Sequence, residues 1–157
     1  MSLGPELSRL FHRDLTRLAQ QIRATPPELL WSTLPGIGNS AGNLALHIEG
    51  NLREFVGRQL GGVEYVRQRD REFDSTGIGQ EELAVRLEDT RTLVVPILES
   101  LPDTDWDAVF PQQTLGVALT TRQYVLHLYG HLNYHLGQAD YLRRALTGEG
   151  ALRLAGL

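Results

Sequence analysis

Residues 126–138 read Leu126-His127-Leu128-Tyr129-Gly130-His131-Leu132-Asn133-Tyr134-His135-Leu136-Gly137-Gln138. Leu128 and Leu132, followed by Ala139, Leu142 and Leu146, recur at the three- and four-residue steps of an α-helix with one buried face. Thr120 or Thr121 can cap its start and Gly148 its end, so the helix is predicted to extend to about Thr147. At roughly 100° per residue, His135 falls in the middle of the apolar face, His131 about 40° to one side and His127 about 40° further out. Arg122, Asn133, Asp140 and Arg144 take the opposite, solvent side.

Working outward, three more segments carry the same period. Leu7, Leu10, Phe11, Leu15, Leu18 and Ile22 line a helix from about Pro5 to Thr25, which Pro26-Pro27 stops. Leu44, Ile48, Leu52 and Phe55 line a second, capped by Ser40 and closed by Gly61-Gly62. Leu83, Leu87, Thr90, Val94, Ile97 and Leu101 line a third over about 80–101, with Pro96 predicting a kink inside it. The polar, Arg-rich stretch from Val63 to Gly79 reads as an exposed connection, and Arg67, Arg69, Asp70, Arg71 and Glu72 as a solvated cluster of mixed sign. Val109 to Leu119 has room for a short strand. Four long amphipathic segments without a domain boundary predict an all-α four-helix bundle, one domain over residues 1–157.

Composition removes several classes of chemistry. All 15 basic residues are Arg, so a Lys Schiff base and a phosphate-loop Lys are excluded. There is no Cys, which excludes a cysteine nucleophile, thiolate-bound zinc, iron–sulfur clusters and disulfides. A net charge of -4 offers no footprint for nucleic acid or an anionic membrane. Met1 to Glu6 lacks the basic-then-apolar order of a secretion signal, and no apolar run approaches the ~20 residues that cross a bilayer. The expectation is a cytoplasmic protein with neither a nucleic-acid nor a membrane partner.

The histidines concentrate the chemistry. Residues four apart on a helix can reach a common point, but His127 and His135 are about 12 Å apart along the axis and cannot share one ion. The inward pair is His131 and His135, with His127 flanking or supporting them. A third ligand must come from another helix. His47 borders the stripe of Leu44, Ile48 and Phe55 and is the best candidate, whereas His12 is expected to look sideways, towards solvent. Buried imidazoles need partners for their nitrogens, and a metal is one such partner. No His-Glu-x-x-His or Glu-x-x-His occurs, which argues against a metalloprotease helix or a ferritin-type di-iron bundle. Asn51 and Gln138 lie one turn beyond His47 and His135 and are candidates to hold an imidazole or a substrate. Tyr124 could donate a hydrogen bond at the mouth of the site. Arg58 reads as a solvated arginine.

Leu46-His47-Ile48 on the second helix, combined with His131-x-x-x-His135-x-Gly137-Gln138 on the fourth, resembles the DinB/YfiT superfamily. The likeness is carried mainly by Leu44 to Asn51 and Leu126 to Leu142, and the length and helix order extend it over nearly the whole chain. It implies an up-down-down-up bundle, a metal triad of His47, His131 and His135, and a homodimer. Characterised relatives of that kind are S-transferases or isomerases that use bacillithiol, mycothiol or glutathione. Many members carry Arg where this chain has Leu136, so any role of that Arg is filled differently here.

Three neutral imidazoles leave a coordination position open, the arrangement of a catalytic metal. Zinc, nickel, iron or manganese all suit such a set. A divalent ion acidifies a bound thiol or water. The leading expectation is a transferase that activates a low-molecular-weight thiol towards a small-molecule substrate, the thiol coming from outside because the chain has no Cys. The alternatives are a metal-dependent hydrolase and a non-enzymatic ligand-binding bundle.

Overall fold

Ser40 and Thr120 start two of the long helices in the same way. Each side-chain oxygen accepts the backbone N–H three residues on, at 3.2 Å, and the Asn43 or Gln123 side chain reaches back to the cap's own N–H. These reciprocal caps satisfy donors that the first helical turn leaves unpaired. Gly148, at φ 73°, closes the last helix in the left-handed conformation that a side chain disfavours.

The structure, a computed structural model, describes residues 3–112 and 116–153. Its elements are α1 (Leu3–Ala24), a 3-10 turn (Pro27–Leu29), α2 (Ala41–Leu52), α3 (Arg69–Asp74), α4 (Gln80–Ser100), α5 (Asp103–Trp106) and α6 (Thr121–Thr147). Beyond Leu52, α2 widens into a π-helical stretch, Arg53–Arg58. The four long helices are the ones the periodicity predicts. Helix α4 runs through Pro96 as one element. Val109 to Leu119 forms no strand among its described residues. It closes instead on an isolated antiparallel bridge, Val109 with Thr120, and residues 113–115 of that stretch lie outside the described residues.

The core sits where the four helices meet. Phe11, Leu15, Leu18 and Ile22 of α1, Ile48 and Leu52 of α2, Leu87, Val94 and Leu98 of α4, and Leu128 and Leu132 of α6 are all buried. Helices α4 and α6 each pack against both α1 and α2, which therefore stand at opposite corners. Side-chain pairs fix the directions. Arg23 of α1 meets Glu81 of α4, and Gly4 lies beside Leu98, so α1 and α4 are antiparallel. Glu49 meets Arg86 while Gly57 lies beside Leu93, so α2 and α4 are parallel. Phe55 meets Tyr124 while His47 meets His131, so α2 and α6 are antiparallel. The result is up-down-down-up. Parallel α2 and α4 need a connection that returns along the bundle, and residues 59–79 make it.

That return is where the sequence reading needs correcting. The stretch is not a solvated connection throughout. It folds α3 onto α2, where the Asn43 side-chain amide donates to the carbonyl oxygens of Glu72, Phe73 and Ser75 at 3.0–3.2 Å. Glu72 is 5% exposed. A charge run reads as solvated because its partners are distant in sequence, here Asn43 and His47.

Two further charges are buried in the helix contacts. Asp14 accepts hydrogen bonds from the Arg13 guanidinium and from the Tyr129 hydroxyl at 2.8–2.9 Å. Arg143, fully buried, donates to the Gln21 side chain at 2.9 Å and to the Gly150 carbonyl at 2.7 Å. Each ties α1 to α6 or α6 to the segment after it.

Candidate metal centre

Helices α2 and α6 bring three imidazoles to one point. The Nε2 atom of His131 lies 3.1 Å from Nε2 of His47 and 3.0 Å from Nε2 of His135. All three ligand atoms fall within 4.8 Å of one another. Ring centroids are 4.5–5.1 Å apart and the planes nearly perpendicular, at 79–89°. Edges therefore converge on a shared volume, rather than faces stacking across it.

The oxygens facing the outer ring nitrogens can only accept, which favours one tautomer in two of the rings. The Nδ1–H of His47 donates to Glu72 Oε2 at 2.8 Å, and the Nδ1–H of His135 donates to Gln138 Oε1 at 2.7 Å. Both rings then present bare Nε2 lone pairs inward. A proton on His131 Nε2 can satisfy only one of them and strips the buried Nδ1, which has no partner. A cation satisfies all three Nε2 lone pairs and leaves the proton on His131 Nδ1. Ligation at ~2.0–2.1 Å with tetrahedral angles sets nitrogens about 3.3 Å apart, and two of the three pairs already lie near that spacing. The donor set fits a divalent ion. Burial, then the neighbouring His135 and His47, pushes His131 down to about 4, and burial also lowers His135. Both are neutral at pH 7.

The other sequence-predicted residues fall in different places. Gln138 supports His135, as described. His127 is exposed beside His131, the rings 6.3 Å apart. Asn51 is buried one turn beyond His47, with its Oδ1 lacking a partner. Tyr124 is buried and stacks on Phe110 at 3.9 Å between centroids, so it packs rather than edging the mouth. His135 does not sit mid-core. It and His131 are half-buried, whereas Leu128 and Leu132 of the same helix are buried. His12 is exposed, as expected. Arg58 is exposed and pairs with the buried Glu54. Leu136 packs against the core from a half-buried position and offers no charge.

Sequence reasoning missed Glu72 and Arg67. The Arg67 guanidinium grips the Glu72 carboxylate with two hydrogen bonds, at 2.6 and 2.8 Å. Burial alone would raise the Glu72 carboxyl, but hydrogen bonds from His47 and Arg67 outweigh it and hold the group below the usual carboxylate range. The overlooked signal was an acidic residue in the crossover that an up-down-down-up order must lay back along α2.

Recesses among the described residues border the centre, two of them on the sides of Gln138 and Arg67. One, of about 410 Å³, is walled by Leu34, Ile37, Leu44, Tyr141 and Leu142, with Gln138 on its lining. The other, about 550 Å³, is lined by Phe55, Arg58, Tyr65, Arg67 and Arg69.

Fold and site together define a DinB-like helical bundle with a three-histidine centre. The crystal structure of a DinB-like protein from Bacillus cereus ATCC 10987 matches it with a TM-score of 0.67 over 92% of this chain and 91% of that one, at 18% identity, a likeness of fold alone. The sequence profile of the mycothiol-S-transferase family matches residues 6–148, and the chain belongs to that family. No curated protein matches it. Among the described residues no helix is long and apolar enough to cross a membrane.

Proposed function

We propose that this protein is a metal-dependent S-transferase in which His47, His131 and His135 hold a divalent cation and a low-molecular-weight thiol is joined to a small electrophile. The observation that carries the reading is the convergence of three Nε2 atoms whose outer nitrogens, in His47 and His135, are already committed to carboxylate and amide oxygens. A divalent ion at that point supplies the Lewis acidity that lowers a thiol's proton affinity near neutral pH. Zinc, nickel, iron and manganese are all admissible to three imidazoles.

The chain's own residues do the rest. Glu72 and Gln138 place oxygens against the outer nitrogens of two rings. The apolar recess beside Gln138 offers Leu34, Ile37, Leu44 and Leu142 to the electrophile's carbon skeleton. In the reaction the thiol S–H loses its proton to solvent, an S–C bond forms, and the bond to the leaving group breaks. Family membership supports the thiol class, and the chain's lack of Cys requires the thiol to be a separate molecule. We extend the proposal to a single domain, 1–157, acting as a cytoplasmic homodimer. Exposed Tyr134 and Tyr141 on α6 offer a second copy apolar area to cover.

The test is thiol dependence. Metal-loaded protein incubated with an activated aryl or alkyl electrophile should give the thioether by mass spectrometry only when the thiol is added. Turnover of the electrophile at the same rate without thiol, giving the hydrolysis product, would assign the protein to the hydrolases instead.

A further inference from the structure

The Arg67–Glu72 pair belongs to the crossover, yet it ends on the outer nitrogen of a histidine in α2. We propose that this pair is the positioning element of the three-histidine centre: Glu72, aimed by Arg67, holds His47 in its Nδ1–H tautomer and sets the affinity of the centre for a divalent cation. This rests on the metal reading above and adds the residue that tunes it.

Four features hold the carboxylate in place. Arg67 donates to both oxygens, at 2.6 and 2.8 Å, which fixes the plane. Asn43 anchors the backbone at Glu72 and just after it through the Glu72, Phe73 and Ser75 carbonyls. Phe73 packs its ring 4.9 Å from the His47 ring and blocks rotation on that side. Gly50, one turn from His47 on α2, leaves the space that Glu72 Oε1 fills, since a Cβ there would collide with that oxygen. A carboxylate placed only by chance beside a histidine would need none of these.

The electrostatic consequence follows from the charge. A carboxylate accepting Nδ1–H makes the imidazole a stronger donor at Nε2 and stabilises the positive charge it meets there, whereas the amide of Gln138 does the same for His135 more weakly. The two supports are unequal, so the centre is asymmetric: His47 is the most strongly donating ligand. His131, with no partner on Nδ1, is the least supported.

The experiment compares wild type with Glu72→Leu and Glu72→Gln by two readouts. Nitrogen-15 NMR of the metal-free proteins reports the His47 tautomer. Chelator competition with zinc reports affinity. Wild type should show His47 protonated on Nδ1. Glu72→Leu should move that proton to Nε2 and weaken zinc about 10–100-fold, the usual range for losing such a support. Glu72→Gln should keep the tautomer and lose part of the affinity, and it serves if the Leu variant fails to fold. An unchanged tautomer in folded Glu72→Leu, or zinc affinity within twofold of wild type in both variants, would overturn the proposal. Failure of wild type itself to take up zinc would strike the metal reading, while the tautomer comparison would still decide the role of Glu72.

Discussion

Replacing His131 by Ala is expected to abolish stoichiometric metal binding while leaving the bundle folded. His131 is the shared member of the cluster: its Nε2 faces both His47 and His135 at 3.0–3.1 Å. Without it, the remaining two imidazoles come from different helices and no longer complete a three-nitrogen face. Losing a supporting residue behind a ligand already costs about 10–100-fold, so losing the ligand should exceed about 100-fold. The fold should survive because His131 is half-buried at the edge of α6, where neighbouring Leu128 and Leu132 carry the packing. Metal analysis after gel filtration should give one ion per wild-type chain and none for the variant. Zinc should raise the melting temperature of wild type alone, because a ligand stabilises only the state that binds it. A variant that retains one tightly held ion would place the centre elsewhere.

Gly50→Ala is expected to reverse a general rule. In an exposed helix interior, exchanging Gly for Ala adds up to about 1 kcal/mol of stability. Here the new Cβ would meet Glu72 Oε1 and its carboxyl carbon. The side chain itself can swing away cheaply, but doing so breaks two hydrogen bonds from Arg67 and one from His47. Charge-assisted bonds of that kind are worth roughly 1.5–3 kcal/mol each. Even partial loss outweighs the helical gain, so the variant should be less stable by about 1–2 kcal/mol in urea unfolding. Its zinc affinity should fall with that of the Glu72 variants. A variant more stable than wild type, with full zinc affinity, would show that Glu72 is not held as described.

The four long helices were legible because each buries a stripe whose spacing survives in one dimension. Ser40 and Thr120 read as caps because a cap acts over three residues, and Gly148 as a stop because it acts over one. The trio His47, His131 and His135 was legible for a related reason: two members share a helical face, and the third borders a stripe. Glu72 was not, because its significance lies in a contact 25 residues away across a crossover. Local composition around it, Arg69-Asp70-Arg71, is that of any solvated turn. The wheel placed His135 mid-face because it averages apolar positions along all of α6, whereas His135 is half-buried and Leu128 and Leu132 are buried. Arg143 shows the same limit. Nothing in the sequence near it announces that Gln21 and the Gly150 carbonyl wait in the interior to receive it.

Anomalous diffraction from crystals of the protein as purified, collected on both sides of the zinc, nickel, iron and manganese edges, addresses the central claim most directly. One peak is expected about 2.0–2.2 Å from the Nε2 atoms of His47, His131 and His135, with the element given by the edge at which it appears. Three rings turned away from one another, with no anomalous peak between α2 and α6 in crystals soaked with those metals, would contradict it.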